Sequence, residues 1–96
     1  MAEIKIMQGK GIHFTFENGV TASLQLGEYN YCNQLELDGL TAHAENCEVA
    51  AWDKNGNWIT RQYKDNGDDV IGYVKPDEIP YFLQWCKNYL ITIKED

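Results

Sequence analysis

The stretch Gly11–Gly27, GIHFTFENGVTASLQLG, decides the fold of this 96-residue chain. Ile12, Phe14 and Phe16 alternate with His13, Thr15 and Glu17; Val20, Ala22, Leu24 and Leu26 alternate with Thr21, Ser23 and Gln25. Period-two alternation on both sides of Asn18-Gly19 predicts a β-hairpin. A two-residue loop at Asn18-Gly19 pairs Glu17 with Val20 and sets apolar residues opposite polar ones on both faces. A three-residue loop, Glu17-Asn18-Gly19, pairs Phe16 with Val20, Phe14 with Ala22 and Ile12 with Leu24. One face is then apolar and the other polar, and a slip by one residue destroys the arrangement. Three-residue loops commonly end on a left-handed residue, which Gly19 supplies. The three-residue register is the expectation.

Outward from this hairpin, Met1–Met7 alternates Ile4 and Ile6 with Glu3 and Lys5 and predicts a preceding strand, with a glycine-containing bend over 8–11. After Gly27 the alternation stops, and EYNYCN (28–33) reads as loop. Residues 33–46 are the least legible part; Asp38-Gly39 marks a turn there, and the segment is expected to form an excursion. EVAAWDKNGNWITR (48–61) predicts a second hairpin around Asn55-Gly56. A Lys54–Gly56 loop sets Trp52 opposite Trp58 and Ala51 opposite Ile59; a two-residue loop, setting Trp52 against Ile59, stays open. KDNGDD (64–69) is a charged turn, and Val70–Val74 makes a last strand. A helix is expected from Pro76, because Pro, Asp77 and Glu78 suit a first turn. Pro80 is early enough to be tolerated. Ile79, Phe82, Leu83, Cys86 and Leu90 form its apolar stripe, with Tyr81 and Trp85 off that stripe as a second aromatic surface. Leu90–Lys94 favours extended structure. The fold class is therefore α+β: an antiparallel sheet of about five or six strands with one C-terminal helix on one face.

Length allows one domain, over residues 1–96, which buries roughly 60–70% of its unfolded surface without staples. An apolar content of 44%, with 12% aromatic residues, argues against a disordered chain. No run approaches the ~20 apolar residues of a membrane helix, and no signal-peptide core is expected. Cys32, Cys47 and Cys86 are odd in number and unclustered, so reduced thiols of a soluble intracellular protein are expected. Eight Lys and Arg against fifteen Asp and Glu give a net charge of −7. Such a surface argues against direct nucleic-acid binding, which relies on clustered cations, and suits a basic protein partner.

Chemical motifs fall short one by one. Asp53-Lys54-Asn55-Gly56-Asn57 opens like a calcium loop, but Trp58 and Lys64 stand where an EF-hand needs Gly and Glu. His43, Glu45 and Cys47 lie close together, yet neither His13, Cys32 nor Cys86 has the spacing to complete a zinc site. Cys32 with His43 or His13 lacks any local motif of a catalytic cysteine. Gly9-Lys10-Gly11 is too short for a phosphate loop. No enzyme activity, metal or cofactor is expected. The aromatic residues Tyr29, Tyr31, Trp52, Trp58, Tyr63, Tyr73, Tyr81 and Trp85 exceed the evident needs of so small a core. Tyr and Trp are enriched at binding hot spots. Tyr29, Tyr31, Trp52, Trp58, Arg61, Tyr81 and Trp85 are the candidate binding residues, for a macromolecular or homo-oligomeric contact. Alternatively, aromatics stack a nucleobase while Arg61, Lys64 or Lys10 holds a phosphate.

Three segments, GIHFTFENGVTASLQLGEYNYC (11–32), EVAAWDKNGNW (48–58) and VIGYVKPDEI (70–79), together resemble a family of small proteins of tailed bacteriophages. The shared features are F-x-N-G, N-Y-C and A-A-W-D-x-x-G-x-W, in the family's order, over a little under half the chain. The chain departs from the pattern at Lys75, where a Ser or Thr cap is expected, and at Pro80. The resemblance implies an accessory protein acting in the cytoplasm of the infected bacterium, and it supplies no catalytic residues. The leading expectation is a non-enzymatic protein that binds and blocks a host protein, such as a component of antiviral defence. An oligomeric sponge for a nucleotide-like defence signal is the alternative, and a minor virion role is a third.

Overall fold

In a computed structural model, residues 2–7, 11–26, 36–38 and 41–90 are described. The strands are β1 (Glu3–Met7), β2 (Gly11–Thr15), β3 (Thr21–Gln25), β4 (Glu36–Asp38), β5 (Thr41–His43), β6 (Cys47–Trp52) and β7 (Ile71–Val74). The helices are α1 (Thr60–Tyr63) and α2 (Ile79–Lys87). Five strands form one antiparallel sheet in the order β1-β2-β3-β6-β7, while β4 and β5 pair with each other in a second, two-stranded sheet. The class is α+β, with the C-terminal helix closing one face of the sheet.

The first hairpin adopts the register that the alternation demands. Ile12 lies opposite Leu24 and Phe14 opposite Ala22. The Phe16 N–H donates to the Val20 carbonyl at 2.9 Å and the Gly19 N–H donates to the Phe16 carbonyl at 2.9 Å, closing the three-residue loop. Gly19 has φ +87°, and a Cβ there would lie 2.7 Å from Cβ of Lys54, so the position excludes side chains twice over. β1 extends this hairpin with Ile4 opposite Phe14 and Ile6 opposite Ile12.

The core forms where β3 meets β6. Ala22 pairs with Ala51 and Leu24 with Val49, and this small-residue row leaves room for the helix. Phe82 and Cys86 of α2 are fully buried against Val20, Ala22, Val49, Ala51, Ile59, Ile71 and Val74. On the opposite face of the same two strands, Ser23, Glu48 and Ala50 are buried as well, so the sheet centre is covered on both sides. At the far edge the register steps two residues on β6 against three on β7, which is a bulge. Tyr73 occupies it with φ +58°, a conformation costing a non-glycine residue about 1 kcal/mol.

The second hairpin takes the three-residue register: Trp52 bridges Trp58, and the Ile59 N–H donates to the Ala51 carbonyl at 3.0 Å. Its returning strand, expected to continue to Arg61, stops after that bridge. The reason is Thr60, whose Oγ1 accepts from the Ala51 N–H at 2.9 Å and donates to the Ala51 carbonyl at 3.3 Å. The buried hydroxyl takes the Ala51 N–H that a longer strand would have paired and shares the Ala51 carbonyl with the Ile59 N–H, and the chain turns into α1. The expected strand start at Val70 moves to Ile71.

The helix expected from Pro76 begins at Ile79. Residues 75–78 form a turn in which the Glu78 N–H donates to the Lys75 carbonyl at 2.9 Å and the Glu78 carboxylate accepts the Lys75 N–H at 2.9 Å. This is the carboxylate half of a capping box, working without the Ser or Thr half. Pro80 stands in the first turn, where its missing N–H costs no bond. α2 ends at Lys87, so Leu90 leaves the stripe and is 83% exposed. The freed carbonyls find a distant donor. Asn18 Nδ2 in the first hairpin's turn donates to the carbonyls of Cys86, Lys87 and Tyr89 at 2.9, 3.2 and 3.1 Å, while its Oδ1 accepts the Val20 N–H at 3.0 Å. The expected excursion over 33–46 contains the small β4–β5 ladder, with Asp38 opposite Thr41. Among the described residues no helix is long and apolar enough to cross a membrane.

Candidate binding surface

The predicted binding residues divide between two places. Trp52 and Trp58 meet edge to face with ring centroids 5.2 Å apart, and His13 meets Trp52 at 5.1 Å. His13, Trp52 and Ser23 lie on the face opposite α2, where burial and then the positive charge of Lys5 hold the His13 imidazole below its usual pKa. Trp85 belongs to a separate cluster on α2. Its ring lies 5.2 Å from Tyr63, 6.5 Å from Phe82 and 5.3 Å from Tyr89, which makes it a half-buried wall of the core. Tyr81, four residues earlier, points outward and is 71% exposed.

Tyr81 stands between two depressions. The larger is an open groove of about 560 Å³ lined by Gln62, Tyr81, Gln84, Trp85, Asn88, Tyr89 and Leu90. The smaller, about 200 Å³, has Val49, Ile71, Val74 and Phe82 of the core in its walls, with Lys64 and Glu78 beside them. In the groove the Tyr89 hydroxyl donates to Gln62 Oε1 at 2.9 Å, tying α1 to the end of α2. The groove therefore joins aromatic and aliphatic surface to three side-chain amides, and among the described residues no charged side chain lines it. Amides of both donor and acceptor type suit peptide groups, and exposed aromatics add area with little entropy to lose. Tyr89 and Leu90 were not among the predicted binding residues; the spacing Tyr81, Trp85, Tyr89 carries the signal for the first of them.

Arg61 does not join either aromatic set. Its Nε lies 3.4 Å from Asp69 Oδ1 and its Nη2 donates to the Gly67 carbonyl at 3.1 Å, so the guanidinium is spent on the 65–69 loop. Tyr29 and Tyr31 lie outside the described residues, as does Cys32.

Asp53 is committed to its own turn: Oδ1 accepts the N–H groups of Asn55 and Asn57 at 2.8 and 2.9 Å, and Oδ2 accepts Asn57 Nδ2 at 3.3 Å. Partial desolvation acts upward on its carboxyl, but those hydrogen bonds and Lys54 bring it below the usual carboxylate range. Among the described residues no three His, Cys, Asp or Glu side chains come together as a metal site. Cys86 is a core residue whose thiol burial pushes up to about 12, so it carries no thiolate near neutrality. No family model, curated protein or solved structure matches the chain.

Proposed function

We propose that this chain is a non-enzymatic bacteriophage accessory protein that binds and inhibits a host protein in the bacterial cytoplasm, a defence component being the expected target class. The phage context rests on the sequence resemblance described above. The observation that carries the binding reading is Tyr81, 71% exposed on a ridge between two hollows, one of them walled, among the described residues, by aromatics, amides and Leu90. An exposed aromatic flanked by concave surface has the form of a protein-interaction hot spot. The chain's net charge of −7 favours encounter with a partner that is basic around its contact. Arg61's engagement with Asp69 and Gly67 weighs against the nucleotide sponge, because a phosphate there would have to displace an existing ion pair.

The test is recovery of the tagged chain from infected host cells, followed by native mass spectrometry, beside Tyr81→Ala. The expected result is a stoichiometric host protein with the natural chain, whose activity the purified complex lacks, and at least tenfold weaker binding for the variant. A host protein retained equally by the variant moves the contact elsewhere and refutes the Tyr81 reading. An intact chain carrying only a bound nucleotide refutes the protein-blocking function.

A further inference from the structure

The two edges of the five-stranded sheet are built differently. β7 is guarded by its bulge and the left-handed Tyr73. β1 is regular over five residues, each paired to β2, and contains no Pro, Gly or bulge. It also continues the helix-covered face past the helix. Ile4 follows Phe14, Ala22 and Ala51 across the sheet, and Ile6 follows Ile12, Leu24 and Val49, yet Ile4 and Ile6 are 65% and 73% exposed. Among the described residues nothing pairs with the outer edge of β1.

We infer that β1 is a self-association edge, pairing antiparallel with β1 of a second copy about a two-fold axis through Ile4. The sequence EIKIM decides both the occupant and the register. With the axis at Ile4, Glu3 of each copy lies opposite Lys5 of the other, and Ile4 lies opposite Ile4 on the apolar face. An axis at Lys5 sets two lysines against each other. A register between these places Ile4 opposite Lys5 and carries each copy's isoleucines to the other's charged face. One alignment alone satisfies both charge and face, and it is self-complementary, as an isologous contact requires. Strands of five residues bury less than the ~1,200 Å² of a standard interface, so the dimer is a weak one.

Sedimentation equilibrium of the full chain at sub-millimolar concentration tests this, with Glu3→Lys, Lys5→Glu and their equimolar mixture. The natural chain is expected to approach twice its monomer mass as concentration rises. Each single variant is expected to dimerise about tenfold more weakly, because both cross-strand pairs become like-charged, and the mixture is expected to form a heterodimer of natural strength. Bulk charge predicts the opposite for Glu3→Lys, which is two units less negative than the natural −7 and would then associate more tightly. That result overturns the proposal, as does association indifferent to both reversals. A natural chain that stays monomeric also overturns it, whether residues 91–96 or another protein takes the edge.

Discussion

Replacing Asn18 by Asp changes one nitrogen to oxygen and isolates the link between the first hairpin and the end of α2. The Oδ1 that accepts the Val20 N–H at 3.0 Å is kept, so the turn itself survives. The Nδ2 that donates to the carbonyls of Cys86, Lys87 and Tyr89 is lost, and three acceptors then face a carboxylate. An amide has two hydrogens to share among those three carbonyls, so the loss corresponds to two net bonds at ~1 kcal/mol each. The negative end of the helix dipole adds about 0.3–1 kcal/mol of repulsion. The expected destabilisation is therefore ~2–3 kcal/mol, a large part of the ~5–15 kcal/mol that holds a domain of this size. Urea unfolding followed by far-UV circular dichroism should show a lower midpoint with unchanged slope. Acidification should return part of the loss, because the introduced carboxyl regains a donor once protonated. Asn55→Asp, in the exposed second turn, is the matched control and should stay within about 0.5 kcal/mol of the natural chain. A loss below ~0.5 kcal/mol for Asn18→Asp would refute the reasoning, since the bonds would then be replaceable by water.

Gly11→Ala should destabilise the first hairpin severely, because its Cβ would collide with the backbone oxygen of Leu24; loss of the cooperative thermal transition checks this, and a normal melting curve contradicts it. His13 is depressed in the folded state by burial and then Lys5, while the unfolded chain protonates it near pH ~6.5. Stability from this group is thus full above that pH and is lost as pH falls toward the folded value. Urea midpoints of the natural chain and His13→Gln should diverge between pH ~7.5 and pH ~5.5, and parallel curves would remove the effect. Phe82→Ala should cost ~3–5 kcal/mol in urea unfolding, because the ring is fully buried in the core cluster; a cost under ~1 kcal/mol would mean the helix repacks. Cys86 should resist a thiol reagent at neutral pH until the chain is unfolded, and rapid labelling of that position in the native protein would show that the helix opens.

The parts legible in the sequence are those governed by local alternation. Phe14 opposite Ala22 follows from period-two alternation plus one turn glycine, and Trp52 opposite Trp58 from the same logic. What periodicity does not report is a side chain competing with backbone. Thr60's hydroxyl ends the second hairpin, and the Glu78 carboxylate holds 75–78 as a turn before α2. Asn18 looked like an ordinary turn residue, because its partners at Cys86, Lys87 and Tyr89 are about seventy positions away. The candidate surface was half legible. Tyr81 and Trp85 share a helix and their four-residue spacing brings them together. Trp52, Trp58 and Arg61 are directed elsewhere by cross-strand pairing and by the 65–69 loop. Composition counts aromatics but does not assign them to a face.

The Asn18 link also imposes a timetable on synthesis. The N-terminal hairpin is complete once Gln25 has left the ribosome, yet the helix that covers Ala22 and Ala51 emerges some sixty residues later. At roughly 5–20 residues per second the growing chain shows its apolar sheet face for several seconds before α2 arrives. The hairpin turn is then the receptor already waiting for the helix's last carbonyls, so a late-made segment locks onto an early-made one.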